Sequence, residues 1–176
     1  MLPHVVRTER LILRMPASDD AGAVGGWFAL DSEVTRYLGW RPNGSKGDTQ
    51  RVVQSWTTDW RGGRRFAWVL TTGQSDSPFG MIQLRFDEHR ADVGYILARD
   101  RWGEGYATEA LDAVAELALG LPKMYRVSGV CDVENKASAR VMEKAGFALE
   151  GVLRRFLRPP DSGSEPRDAC SYAKVK

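Results

Sequence analysis

RWGEGYATEAL, residues 101–111, removes the side chain at two alternate positions, Gly103 and Gly105, and then runs into a helix-forming segment. Glycine costs conformational entropy, so a pair of them calls for a reason. Upstream, ADVGYILA (91–98) alternates as a strand. Downstream, an apolar stripe of Ala107, Ala110, Leu111, Val114, Leu117 and Ala118 predicts a helix over Tyr106–Leu119. Glu109, Asp112 and Glu116 share its opposite face, and Pro122 lies behind its end. The pair therefore occupies a strand-to-helix turn. A helix N-terminus presents free N–H groups and a partial positive charge, and glycine lets a bulky anion approach them. Turn chemistry alone leaves two readings open, an anion site or a tight structural turn. Arg99 and Arg101 ahead of the turn, with Lys136 and Arg140 in a later helix, supply local positive charge.

The remaining elements set this turn in context. ERLILRMP (9–16) reads as a strand closed by Pro16. Ser18, followed by Asp19 and Asp20, reads as the N-cap of a helix reaching Trp27 and Phe28. Asp31 or Ser32 caps a second short helix in DSEVTRYLGW (31–40), RPNGSKGD (41–48) is a loop, and a third helix runs from about Thr49 to Trp60. RRFAWVLTTG (64–73), GMIQLRFD (80–87) and ADVGYILA form a meander, with a turn over Asp76–Pro78 and a hairpin at DEHR (87–90). After the glycine helix come strand YRVSGVCD (125–132) and a short helix in NKASARVMEKAGF (135–147), capped by Asn135 and closed by Gly146. Strand FALEGVLRRF (147–156), a polar loop and strand ACSYAKV (169–175) complete the chain. This order predicts an α+β (mixed α/β) fold in one domain over 1–176: a mixed, mostly antiparallel sheet of about seven strands with helices on both faces.

Composition narrows the function. The 176 residues carry 25 Lys plus Arg against 23 Asp plus Glu, a formal charge of +2, which argues against nucleic acid or an acidic membrane as the main partner. Two cysteines, Cys131 and Cys170, form no CxxC pair, and His4 and His89 are the only histidines, so neither a disulfide framework nor a metal site is expected. No apolar run approaches a membrane span, and MLPHVVRTERL lacks the pattern of a signal peptide, so a cytoplasmic protein is expected. Two nucleotide templates fail at the glycine turn. A dinucleotide fingerprint needs a third glycine near the first strand, and a P-loop needs Gly-Lys-Ser/Thr where this chain has Gly105-Tyr106-Ala107.

GYILARDRWGEGYATEAL followed about twenty-five residues later by ENKASARVMEKAGF resembles the GNAT superfamily of acyl-CoA-dependent N-acetyltransferases. TERLILR near the start and EGVLRR with EPRDACSYAKV near the end resemble its RimJ/RimL-like branch of ribosomal-protein N-terminal acetyltransferases. The resemblance implies a GNAT-like splayed sheet, with a gap between the strand ADVGYIL and the strand YRVSGVCD. It implies acetyl-CoA as cosubstrate, its arm bonded to backbone at Leu97, Ala98 and Arg99. The pyrophosphate would then rest on the N–H groups of Trp102, Gly103, Glu104, Gly105, Tyr106, Ala107 and Thr108. Trp102 departs from the Gln or Arg that the family places there. Asn135 matches a cofactor-contacting asparagine, beside its plainer role as a helix cap.

Acetyl transfer to an amine needs a neutral amine, a donor for the acyl oxygen, and stabilisation of the leaving thiolate. The resemblance makes Ser138 the candidate thiolate donor. Many relatives carry a tyrosine four residues later, where this chain has Met142, which cannot donate. Asp92 matches a strand position where several relatives carry a catalytic glutamate, and one methylene shorter it would act through water. The alternative glutamate on the later strand is replaced here by Val130. A backbone N–H near Ile96 or Leu97 would serve the acyl oxygen. Trp27, Phe28, Tyr37 and Trp40, with the loop Arg158–Asp168, are the candidate lining of the acceptor pocket. The expected function is direct acetyl transfer to a primary amine, a protein N-terminus or a small molecule, in a ternary complex. The alternative is an acyl-CoA-binding module with weak or no catalysis. The branch is also compatible with a homodimer.

Overall fold

The strand, turn and helix around the glycine pair are all present in the computed structural model, which describes residues 2–29, 31–38, 46–63, 65–158 and 165–176, with only the backbone at 28, 29 and 46. Eight strands form one sheet: β1 (Val5–Arg7), β2 (Leu11–Arg14), β3 (Arg65–Thr72), β4 (Ser75–Asp87), β5 (Arg90–Leu97), β6 (Arg126–Asp132), β7 (Ala148–Leu157) and β8 (Arg167–Val175). Their order is β1-β2-β3-β4-β5-β6-β8-β7, and among the described residues β5–β6 is the only parallel neighbour pair. The helices are α1 (Ala21–Val24), α2 (Ser32–Thr35), α3 (Lys46–Gly62), α4 (Tyr106–Leu119) and α5 (Lys136–Lys144).

Alternation along the strands builds two cores. Ala67, Val69 and Met81 meet Ala21, Val24, Val53 and Trp56 of α1 and α3 on one face. Trp68, Leu70, Ile82, Leu84, Ala91 and Val93 meet Ala110, Leu111, Val114 and Ala118 of α4 on the other, where Met142 of α5 also packs. Helices thus cover both faces.

Several sequence expectations are corrected. The eighth strand is β1, whose three residues are too few for a period to show. Ser18 caps no helix. A 3-10 turn at Ser18–Asp20 leads into α1, which relaxes into a π turn over Gly25–Ala29. Asp20 does the capping: its carboxylate accepts the Ala17 N–H at 2.8 Å and is clasped by both terminal nitrogens of Arg14 at 2.9 and 2.7 Å. The turn expected over Asp76–Pro78 belongs to β4, because the chain reverses earlier at Gly73–Gln74 and β4 extends back to Ser75. α3 starts before Thr49, at Lys46.

Candidate active site

β5 and β6 share register at only three pairs, Arg90↔Arg126, Ala91↔Val127 and Asp92↔Ser128. Beyond them β5 continues to Leu97 and β6 to Asp132 without pairing to each other. The sheet is therefore split at its one parallel joint. Ala98 N–H donates to Phe79 O at 2.7 Å, toward β4. Backbone groups of successive strand residues point to opposite edges. The N–H and C=O groups of Tyr95 and Leu97 accordingly face the gap, whereas those of Ile96 face β4. Gly129 keeps the floor of the gap close-packed: a methyl there would approach Met142 Cε at 3.0 Å and Val93 Cγ1 at 3.2 Å.

The glycine turn stands at the end of β5. A 3-10 turn at Arg99–Arg101 precedes it, and Gly103 (φ +80°) and Gly105 (φ +84°) both adopt left-handed backbone that side-chain-bearing residues rarely take. Gly105 caps α4, and Glu109 N–H donates the first helical bond, to Gly105 O at 3.0 Å. From Gly103 to Thr108, no backbone N–H has a backbone acceptor among the described residues. Trp102, about half exposed, donates its indole N–H to Leu97 O at 3.0 Å. Ala98 has both backbone groups committed, to Phe79 O and to Arg101 N–H. Arg101 lies against the Phe79 ring at 5.4 Å.

The β1–β2 turn braces this loop from outside. Arg10 donates through Nη1 to Glu104 O at 2.9 Å and through Nε to Glu109 Oε2 at 2.7 Å, and its guanidinium lies 4.8 Å from the Tyr106 ring centre. Glu109 Oε1 accepts the Thr8 hydroxyl at 2.5 Å and the Arg10 N–H at 2.9 Å. Burial pulls the Glu109 carboxyl up, but these bonds together outweigh it and hold the group below its usual range. Glu109 is thus a brace between helix and turn. Arg10, Gly105, Thr108 and Lys144 line a cavity of about 380 Å³ beside the turn.

Across the gap, Asn135 caps α5 by accepting the Ser138 N–H at 3.0 Å. The Ser138 hydroxyl lies 2.7 Å from the Tyr95 hydroxyl, which is also 3.1 Å from Ser138 O. Burial pushes the Tyr95 phenol well up despite its bond with Ser138. Burial pushes the nearby Cys131 thiol up to about 11. Met142 is 2% exposed and packs in the core. Asp92 stands apart from this group, at the closed end of the β5–β6 joint. Its Oδ1 accepts the Ser128 hydroxyl at 3.0 Å, and its Oδ2 faces Arg85 at 3.7 Å. Alternation puts Asp92, Gly94 and Ile96 on the opposite face of β5 from Val93, Tyr95 and Leu97.

The first helices flank the open end of the gap. Trp27 donates to Pro78 O at 2.8 Å and, with Gly26, Asp31, Ala98, Arg99 and Asp100, lines a cavity of about 620 Å³ next to the end of β5. The Tyr37 ring lies 5.3 Å from the Arg36 guanidinium and 5.8 Å from that of Arg167. Arg167 belongs to β8 rather than to a loop, and its Nε faces the fully buried carboxylate of Asp132 at 3.1 Å. Trp40 and the side chain of Phe28 lie outside the described residues. Sequence reading missed Tyr95 and Arg10. Tyr95 was legible only as one more residue on the inward face of β5, and Arg10 as part of TERLILR without a partner. Among the described residues no cluster of three or more potential metal ligands occurs, and no helix is long and apolar enough to cross a membrane.

These features define a class: an α/β domain whose sheet parts at its one parallel joint, above a glycine-lined helix N-terminus. The family model described as acetyltransferase (GNAT) domain matches residues 10–148, and the chain belongs to that family. The uncharacterized N-acetyltransferase YoaA of Bacillus subtilis is 30% identical over 98% of this chain and 97% of its own length. A GNAT-family acetyltransferase structure from Bacillus anthracis superposes with a TM-score of 0.82 at 27% identity, covering 97% of this chain and 98% of its own. RimL, the ribosomal L7/L12 α-N-protein acetyltransferase solved with coenzyme A, shares the fold at a TM-score of 0.84 and 20% identity, covering 97% of both chains. The protein is an N-acetyltransferase.

Proposed function

We propose that the protein transfers the acetyl group of acetyl-CoA directly to an α-amine, in a ternary complex formed across the β5–β6 gap. The observation that carries this reading is the join of the two halves of the site: an unpaired inner strand edge runs straight into six residues of free N–H groups at a helix N-terminus. An extended chain ending in a pyrophosphate fits that pairing of a slot with a positive cradle. Gly103 to Thr108 would hold the pyrophosphate, with the backbone of Tyr95 and Leu97 and the N–H of Arg99 along the arm. The Ala98 N–H, already donating to Phe79 O, would not be among the donors to the arm. Asn135 contributes by holding the first turn of α5, and so Ser138, at the gap.

Acetyl-CoA, when bound, supplies the acetyl group as an activated thioester. The N–H of Leu97 faces the gap and would donate to the acyl oxygen as negative charge grows there. Ser138 O–H would donate to the departing sulfur. Asp92 would reach the amine only through water, on the opposite face, and it already shares its oxygens with Ser128 and Arg85. So modest a base suits an amine that is partly neutral unaided, which an α-amine of pKa about 8 is and a lysine-type amine of about 10.4 is not. Trp27 and Tyr37 would receive that acceptor at the mouth.

Calorimetric titration with acetyl-CoA and dephospho-CoA, followed by mass spectrometry of peptides with varied first residues, tests the reading. Micromolar binding of acetyl-CoA and a gain of one acetyl group at the peptide N-terminus are expected. No binding overturns the cofactor assignment. Acetylation only of side-chain amines overturns the acceptor class.

A further inference from the structure

A serine inside a helix ordinarily turns its hydroxyl back onto a carbonyl three or four residues earlier. Ser138 does not; its hydroxyl pairs with Tyr95 across the gap floor at 2.7 Å. The Tyr95 hydroxyl has one proton and two acceptors in reach, the Ser138 hydroxyl at 2.7 Å and the Ser138 carbonyl at 3.1 Å. Two arrangements of the protons are open. In one, Tyr95 donates to the carbonyl and Ser138 donates to Tyr95. In the other, Tyr95 donates to the Ser138 hydroxyl, whose own proton is then free for a third atom. Passing between them needs only rotation of two O–H bonds.

We propose that Tyr95 is the positioning residue of the transfer: it draws the Ser138 hydroxyl off its own helix toward β5 and, when a thiolate sulfur arrives, lets that O–H turn to donate to it. The inference rests on the reading of Ser138 given above and adds a part that neither the family match nor the relatives assign. As the acyl carbon–nitrogen bond forms, the carbon–sulfur bond breaks. The electron pair stays on sulfur, and the proton lost by the amine goes to solvent. Ser138 and Tyr95 keep their protons throughout, since each only turns its O–H. The Tyr95 phenol, pushed up by burial, is in the right form to do so across the neutral range.

The test reads the bound thiol directly. The pH midpoint of CoA thiolate formation is followed by ultraviolet absorbance, as the difference between the CoA and desulfo-CoA complexes. In the wild type the midpoint is expected below that of free CoA titrated alongside. Tyr95→Phe should raise it by about one pH unit, the loss of one hydrogen bond to the charged form. Ser138→Ala should raise it equally, and the double variant no further. Affinity for desulfo-CoA should not change, and kcat should fall about tenfold, matching the shift of one unit, with KM for acetyl-CoA unmoved. A Tyr95→Phe midpoint equal to wild type, or a shift that adds to that of Ser138→Ala, overturns the inference and leaves the Ser138 reading standing. If Ser138→Ala itself leaves the midpoint unmoved, both fall. Should Tyr95→Phe not fold, fluorotyrosine placed at position 95, a stronger donor, must lower the midpoint; no movement overturns the proposal.

Discussion

Gly105→Val is the sharpest probe of the glycine turn. Position 105 has φ +84° and ψ 0°, and a left-handed conformation costs a side-chain-bearing residue about 1–2 kcal/mol, more when it is β-branched. The nearest atom to an added Cβ is Arg10 Nη2 at 3.3 Å, the far end of a flexible side chain, so crowding adds little. The strain can go two ways. If the turn relaxes, the N–H groups of residues 103–108 swing out of line and binding must drive them back. At 1–2 kcal/mol this weakens affinity about fivefold to thirtyfold. If the turn holds, melting falls by about 2–8 °C for a chain of this size, and the isopropyl group enters the cavity shared by Arg10, Thr108 and Lys144. Either way, calorimetry should report at least a fivefold loss of acetyl-CoA affinity. Gly103→Ala, with nothing within 4 Å of the added methyl, should show a smaller loss of the same sign. An affinity within twofold of wild type for Gly105→Val would refute the pyrophosphate assignment.

Glu109→Gln should lower stability by about 1 kcal/mol at neutral pH, because the bonds from Thr8 and the Arg10 N–H lose their charge assistance and an NH2 group replaces the acceptor that faces Arg10 Nε. The exposed guanidinium contributes little beyond that. Because the folded-state pKa of Glu109 is lowered, its contribution is complete above the ordinary carboxylate value of about 4.3 and disappears as pH falls through the lowered one. Melting curves of wild type and variant should therefore converge in acid; a constant gap would be wrong for this account. Cys131, with its thiol pushed up to about 11, should resist iodoacetamide at pH 8 in the folded protein, and rapid labelling followed by peptide mapping would contradict its burial. Trp27→Ala should raise KM for the amine while leaving acetyl-CoA affinity unchanged in titration, and the reverse pattern would move the acceptor mouth elsewhere.

Long periodic elements were legible in the sequence because their signal is local. The strand through Ile82 and Leu84, the helix Tyr106–Leu119 and the Asn135 cap all carry their pattern within a single element. The glycine turn was legible for the same reason, since positive φ is a property of one residue. The entry to the first helix was misread because Asp20 is claimed by Arg14, six residues upstream on a strand, a tertiary bond that outranks the local cap at Ser18. The candidate site was legible where backbone makes it and opaque where distant side chains meet. Tyr95 finds Ser138 across 43 positions, and Arg10 finds Glu109 across 99. Neither separation leaves a mark in spacing or composition.

The split in the sheet has a mechanical consequence. The strands from β1 to β5 form one hydrogen-bonded block, and β6, β8 and β7 form another. Three residue pairs at one end, the Tyr125 N–H bond to His89 O, the Ser128–Asp92 bond and the packed helices hold the blocks in register. Such a seam is where cooperative structure divides into separately opening units. Amide exchange should then show two blocks with distinct opening free energies, and a ligand threaded through the seam should merge them. The enzyme would stiffen as one body when charged with its acyl donor and loosen again once that donor departs.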